Sequence, residues 1–134
     1  MLEYMIRAPF QDVFGFPPTC LVAIVSFLIA IPARLQAETP FRSRELLLGI
    51  PLVFTVWLIV HGTVFSLQYD HAPEPNWKTH LIELILLMHV VVSGFTIWRL
   101  KGLRVYATSV TLFLTCFVLM AAFEAMMSVT NLWI

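Results

Sequence analysis

Four long apolar stretches, separated by short polar segments, dominate the sequence. They cover residues 18–35, 45–69, 79–100 and 104–133. A helix needs about 20 mostly apolar residues to cross the hydrocarbon core of a bilayer, and each stretch is close to or above that length. Turn-forming residues occupy the connections between them, namely Pro40, Pro73, Pro75 and Gly102. The pattern therefore predicts four membrane-spanning helices joined by short loops.

The N-terminal residues 1–17 have a different pattern. Aromatic side chains such as Phe10 and Phe14 are mixed with charged ones, which suits a segment lying in the headgroup layer. The segment lacks the basic start and apolar run of a secretory signal. Pro17 and Pro18 then lead into the first span, where proline is tolerated in the first turn. The predicted fold is a single-domain, all-α, antiparallel bundle of four transmembrane helices, preceded by a short interfacial segment.

Composition supports a lipid environment. Of the 134 residues, 60% are hydrophobic and 12% are charged, whereas an average soluble domain is about 25% charged. A soluble domain of this size could not bury so much apolar surface. The formal net charge is zero, so no nucleic-acid partner is predicted. Cys20 and Cys116 each lie inside an apolar stretch and form no CxxC motif, which indicates packing rather than redox or zinc chemistry.

The positive charges predict the orientation. They concentrate around the first and third loops, residues 36–44 and 101–103, in the set Arg34, Arg42, Arg44, Arg99, Lys101 and Arg104. Loops rich in Lys and Arg stay on the inner side of the membrane. We therefore expect a multi-pass protein of the bacterial or mitochondrial inner membrane. Both basic loops would face the cytoplasm or matrix, and both termini would lie outside.

Ionisable residues inside the predicted spans are candidate functional groups, because burying them in lipid is costly. There are four: His61, Glu83, His89 and Glu124. From the rise per residue, His61, His89 and Glu124 lie about 12–15 Å below the outer ends of their helices, so one layer is predicted. Glu83 lies only about 6 Å deep, beside His80. Glu83 and Glu124 are each predicted to act in proton relay or in packing.

Several interpretations of this layer remain open. His61 and His89 could be the axial ligands of haem b or could contact a quinone, since imidazoles serve both roles. His61, His89 and Glu124 together have the ligand types of a transition-metal site. Alternatively, all three side chains form hydrogen bonds between helices and fix their packing. No cofactor is identified by the sequence beyond the possibility of haem b or quinone.

The hypotheses for function follow from these alternatives. The leading one is an accessory or anchoring subunit of a larger membrane complex, respiratory or otherwise energy-transducing, whose partners are the bilayer and other membrane subunits. The second is a redox subunit that binds haem b or quinone through His61 and His89. The third is a metal- or proton-dependent membrane enzyme or carrier that uses His61, His89 and Glu124. No nucleophile motif such as GxSxG occurs, so catalysis by this chain alone is not expected.

Overall fold

The computed structural model describes residues 2–37, 43–66 and 77–130, and these residues form helices joined by short turns, with no strand among them. The helices are α1 Leu2–Gly15, α2 Pro17–Leu35, α3 Ile50–Ser66, α4 Trp77–Arg99 and α5 Arg104–Thr130. Short 3-10 helices at Ser43–Gly49 and Lys101–Leu103 lead into α3 and α5. The four helices α2 to α5 are long and apolar enough to cross a membrane, α3 together with its 3-10 extension. The prediction of four helices of spanning length and apolar composition is confirmed; the predicted span ends at 69 and 133, together with Pro40, Arg42, Pro73 and Pro75, lie outside the described residues.

A sharp bend at Phe16 separates α1 from α2. Phe16 adopts an extended backbone with φ −92° and ψ 111°, as expected for a residue before proline. Pro17 has no N–H, so it cannot bond to the carbonyl of Val13 in the preceding turn. The Thr19 hydroxyl donates to that carbonyl instead, at 2.9 Å. The break lets α1 leave the direction of α2 and pack on the bundle, with Ala8 and Val13 buried; its predicted position in the headgroup layer stays a prediction.

Helix α5 is the centre of the bundle, because it packs against all four of the other α-helices. Its buried positions are mostly small residues, which allow neighbouring backbones to approach closely. They include Ala107, Ser109, Ala121, Ala122, Ala125 and Ser128. By contrast, the main neighbours of α2 among the described α-helices are α1 and α5, so α2 is peripheral.

The exposed surface of α2 is strongly apolar. Its buried residues are the small Ala23, Ser26 and Ala30, which form one narrow stripe at helical spacing. Large side chains point away from the protein, with Leu21 66% and Leu28 61% exposed. Small residues inside and large apolar residues outside are typical of a helix that faces lipid.

The end of α2 and the turn between α4 and α5 lie side by side at one end of the bundle. Leu48, Leu100 and Ala107 form a buried cluster there. Beside it, Arg34 bonds to both carboxylate oxygens of Glu45, with Nε–Oε2 at 2.9 Å and Nη2–Oε1 at 3.2 Å. The Glu45 side chain is completely inaccessible to solvent and Arg34 is 23% exposed. This two-point ion pair joins the end of α2 to the 3-10 helix that precedes α3.

Candidate functional site

His61 lies at the opposite end of the bundle, where α3 meets the start of α4. Its Nε2 is 3.0 Å from the backbone oxygen of Lys78; because a carbonyl can only accept, Nε2 carries the proton and donates it. Its ring packs on Phe65, with centroids 4.6 Å apart. The Lys78 ammonium lies 5.6 Å from the centre of the same Phe65 ring. His61 and Lys78 are both buried, so this polar contact locks α3 to α4.

His89 is bonded to a different helix. Its Nε2 lies 3.0 Å from the Thr115 hydroxyl of α5. That hydroxyl has one proton, and it donates this proton to the Thr111 carbonyl at 2.7 Å. The Thr115 oxygen must therefore accept from His89, which assigns the His89 proton to Nε2. Nδ1 is then an unprotonated acceptor.

Two unpartnered polar atoms follow from this arrangement on α4. Both His89 Nδ1 and the Ser93 hydroxyl are buried without a hydrogen-bond partner among the described residues. Ser93 lies one helical turn from His89, on the same face. The edge of Phe54 covers the His89 ring, with centroids 5.7 Å apart. An acceptor and a hydroxyl thus share one buried face of α4.

Glu124 has a carboxyl group as its partner. Its side chain is buried on α5 and lies beside the carboxyl group of Asp12 of α1. Two carboxylates at such close range repel each other unless a proton lies between them. The other Glu124 oxygen, Oε2, has no partner among the described residues. The pair fixes α1 to the central helix.

Glu83 is separate from these groups. It is exposed on α4, and its Oε2 lies 3.2 Å from Nδ1 of His80. Both side chains are more than 60% exposed, so the contact is an open surface pair of the kind that contributes about 0–1 kcal/mol. Glu83 contacts neither histidine of the predicted layer in the described part of the chain.

The structure spreads the predicted layer along the bundle axis. His61 lies level with Lys78, whereas His89 lies beside Phe54, and Phe54 and His61 are about 10 Å apart along α3. On α5, Thr115 and Glu124 differ in level by about 13 Å. The single level predicted from the sequence is therefore wrong for His89, whereas Gly62, next to His61, contacts Ser128, one turn from Glu124. A depth counted from helix ends leaves out the register between packed helices, which sets the levels.

The staggered levels bear on the predicted cofactor sites. No three His, Cys, Asp or Glu side chains in residues 2–37, 43–66 and 77–130 form a group that could hold a metal ion, and His61, His89 and Glu124 are not brought together. Both histidine Nε2 atoms are already engaged in hydrogen bonds. The geometry does not favour one haem between the two rings. Each ring keeps its Nδ1, and that of His89 is buried without a hydrogen-bond partner among the described residues.

Sequence reasoning missed three residues of this region. Asp12 belongs to the segment that the sequence predicts to lie in the headgroup layer, although its carboxyl group lies beside that of Glu124. Lys78 supplies the acceptor for His61 through its backbone, which no sequence pattern reveals. Thr115 lies inside the fourth apolar stretch, where a single hydroxyl does not stand out. Its position one turn after Thr111 was an available signal, because two hydroxyls on one face of a predicted span indicate a packed face rather than a lipid-facing one.

Comparison of the chain with models of protein families, with characterised proteins and with solved structures finds no match.

Proposed function

We propose that this chain is an accessory or anchoring subunit of a larger membrane complex. One observation carries the proposal: the deep polar groups contact different neighbouring helices, and His89 lies about 10 Å from the level of His61. His61 bonds to α4 and His89 to α5, and Glu124 lies beside Asp12 of α1. Hydrogen bonds of this kind between helices contribute about 0.6–2 kcal/mol each in a membrane. They stabilise the bundle and leave no shared centre for catalysis among the described residues.

The levels also affect which complex is proposed. Three protonatable groups at one depth would favour an energy-transducing complex, because they could pass protons to one another. Protons transfer over hydrogen-bond distances, and the step of about 13 Å between the levels of Glu124 and Thr115 is too long for a direct relay. We therefore propose the anchoring role without a preference for an energy-transducing partner.

The proposed membrane topology has four helices that alternate in direction, with the basic loops on the inner side. Helices α3 and α4 touch at His61 with Lys78 and again at Phe54 with His89. From the second contact to the first, residue numbers rise along α3 from Phe54 to His61 but fall along α4 from His89 to Lys78. This supports opposite directions for the two helices. The cations around α2's end and the α4–α5 turn, at one end of the bundle, support an inward placement of that end.

Cysteine labelling tests this topology. In a chain whose own Cys20 and Cys116 are replaced by alanine, Lys101→Cys should react with a membrane-impermeant maleimide only in inverted vesicles. Thr130→Cys, at the other end of α5, should react only from outside intact cells. Both positions are exposed, so the two sites are matched for access. Reaction of both cysteines from the same side would contradict a spanning α5.

A second candidate function rests on His89. Its unprotonated Nδ1 and the neighbouring Ser93 hydroxyl are buried without partners in the described residues. Such an acceptor suits the hydroxyl of a quinol, while the serine hydroxyl can donate to a carbonyl of the oxidised quinone. This version of the redox hypothesis uses His89 alone, with His61 kept as a packing residue.

One set of measurements separates the two candidates. An accessory subunit extracted from its native membrane in mild detergent should migrate in a particle far larger than its 15.3 kDa, and the purified chain should be colourless in both redox states. His89→Ala should then lower the unfolding temperature modestly without changing quinone-dependent electron transfer. Migration of the native chain alone would overturn the accessory proposal. Loss of electron transfer in both His89→Ala and Ser93→Ala, with the particle intact, would establish the second candidate.

A further inference from the structure

A cleft opens at the end of the bundle where α2 ends and α5 begins. Its volume is about 420 Å³, within the range of about 300–1,000 Å³ that ligand sites occupy. One wall is the end of α2, including Ala33 and Gln36. The other is the turn before α5 and its first residues, Lys101 to Tyr106. The wall formed by α2 consists of two alanines and Gln36, and the opposite wall includes the cationic Lys101 and Arg104.

The charge of the cleft is positive. Lys101 and Arg104 line it, and both are exposed. Its described lining residues include no carboxylate. The acid described nearby at this end of the bundle, Glu45, already accepts from Arg34 through both of its oxygens. The two lining cations are therefore available to an anion that enters the cleft.

Helix dipoles do not change this sign. The first turn of α5 contributes about half a positive charge to the cleft, and the last turn of α2 contributes about half a negative one. Backbone N–H groups of Gln36 and Ala37 partly satisfy that last turn of α2. The two partial charges offset each other, which leaves two full positive charges. The Gln36 amide and the Tyr106 hydroxyl add neutral donors.

The position of the cleft indicates where its ligand comes from. The Lys101 ammonium lies 5.5 Å from the centre of the Trp98 ring, and tryptophan is enriched at the level of lipid headgroups. Basic pockets between helices on the inner side of a membrane suit the head groups of anionic lipids. Three positive charges per loop, counted along the sequence, predict only orientation. The folded chain adds a concave surface that brings two of these charges to one ligand.

We propose that this cleft binds the phosphate group of an anionic ligand, with a phospholipid headgroup of the inner leaflet as its source. Arg104 provides a planar fork that bonds to two phosphate oxygens, and Lys101 provides a compact positive charge. A free phosphate compound has the same chemistry, so the test must separate the two sources.

The purified full chain in mild detergent tests the proposal. Short-chain phosphatidylglycerol, phosphatidylcholine and inorganic phosphate are titrated separately, and binding is followed by native mass spectrometry and by the unfolding temperature. We expect phosphatidylglycerol to bind at least tenfold more tightly than phosphatidylcholine, and inorganic phosphate to bind weakly. Tight binding of inorganic phosphate that depends on Arg104 would retain the site and assign it to a free ligand. Equal binding of the two lipids, without phosphate binding, would overturn the proposal.

Matched variants locate the binding. A Cβ atom added at Gly102 meets nothing within 4 Å, so Gly102→Ala and Gly102→Glu should both fold. Gly102→Ala should retain the preference for phosphatidylglycerol, and Gly102→Glu should abolish it by placing a negative charge in the cleft. The pair Lys101→Gln with Arg104→Gln should also abolish it. The charge-matched pair Arg44→Gln with Arg99→Gln, outside the cleft lining, should not. An equal loss in both pairs would mean general surface charge and would overturn the site.

Discussion

Replacing Arg34 with alanine should lower the free energy of unfolding by about 3–5 kcal/mol, among the largest effects expected of a single substitution here. The reason is the carboxylate left behind. The Glu45 side chain has no solvent access, and Arg34 donates to both of its oxygens. Removing the guanidinium takes away the two charge-assisted bonds that Arg34 donates to this buried carboxylate, which costs far more than the loss of a surface pair. Thermal or denaturant unfolding in mild detergent, followed by circular dichroism, measures the change.

Two further variants show whether the pair is the cause. Arg44→Ala removes an exposed arginine next to Glu45 and should change stability by less than about 0.5 kcal/mol, as surface substitutions usually do. Adding Glu45→Gln to Arg34→Ala should restore part of the loss, because an amide is far cheaper to bury than a charge. If Arg44→Ala were as damaging as Arg34→Ala, the importance given to the buried pair would be refuted.

The charges at positions 12 and 124 should affect the free energy of unfolding jointly, because these two side chains join α1 to α5. We expect Asp12→Asn alone to be mild, since the amide can donate a hydrogen bond to the Glu124 carboxyl group. Glu124→Lys alone should be tolerated moderately, because the Asp12 carboxylate can pair with the introduced ammonium. The two changes together should be severe, costing several kcal/mol, because a buried ammonium then has no counter-ion.

The double-mutant cycle isolates this coupling from general damage. Unfolding of the parent chain, both single variants and the double variant gives the interaction free energy between the two positions. An interaction of at least about 1.5 kcal/mol is expected, at the middle of the range for residues in contact. Glu124→Gln serves as the conservative control and should leave the bundle folded. Strict additivity of the two changes would show that Asp12 does not face Glu124.

The helices could be predicted from the sequence because their signal is local. Runs of about 20 apolar residues and their punctuation by proline and glycine require no knowledge of neighbours. The burial of His89, Ser93 and Thr96 along one face of α4 likewise follows from their helical spacing. The four helices and the inward polar face of α4 could therefore be predicted from the sequence.

The site could not be predicted in the same way, because it depends on the register between helices. Sliding one helix along another by two turns moves a residue by about 10 Å without changing any helical face. That shift separates His61 from His89. The partner of Glu124 depends on the direction that α1 takes after Phe16. Pro17 and Pro18 signal a break there, but a break does not fix an angle.

The central position of α5 has a consequence for the order of assembly. It is the last of the described helices to be synthesised, yet every other described α-helix packs on it. A nascent chain that has made only α1 to α4 would therefore hold His89, on the polar face of α4, without its partner Thr115 on α5. Such an intermediate exposes buried polar groups to lipid, where each unsatisfied group costs several kcal/mol. Chains stalled before α5 should consequently depend on insertion factors and be removed by membrane proteases.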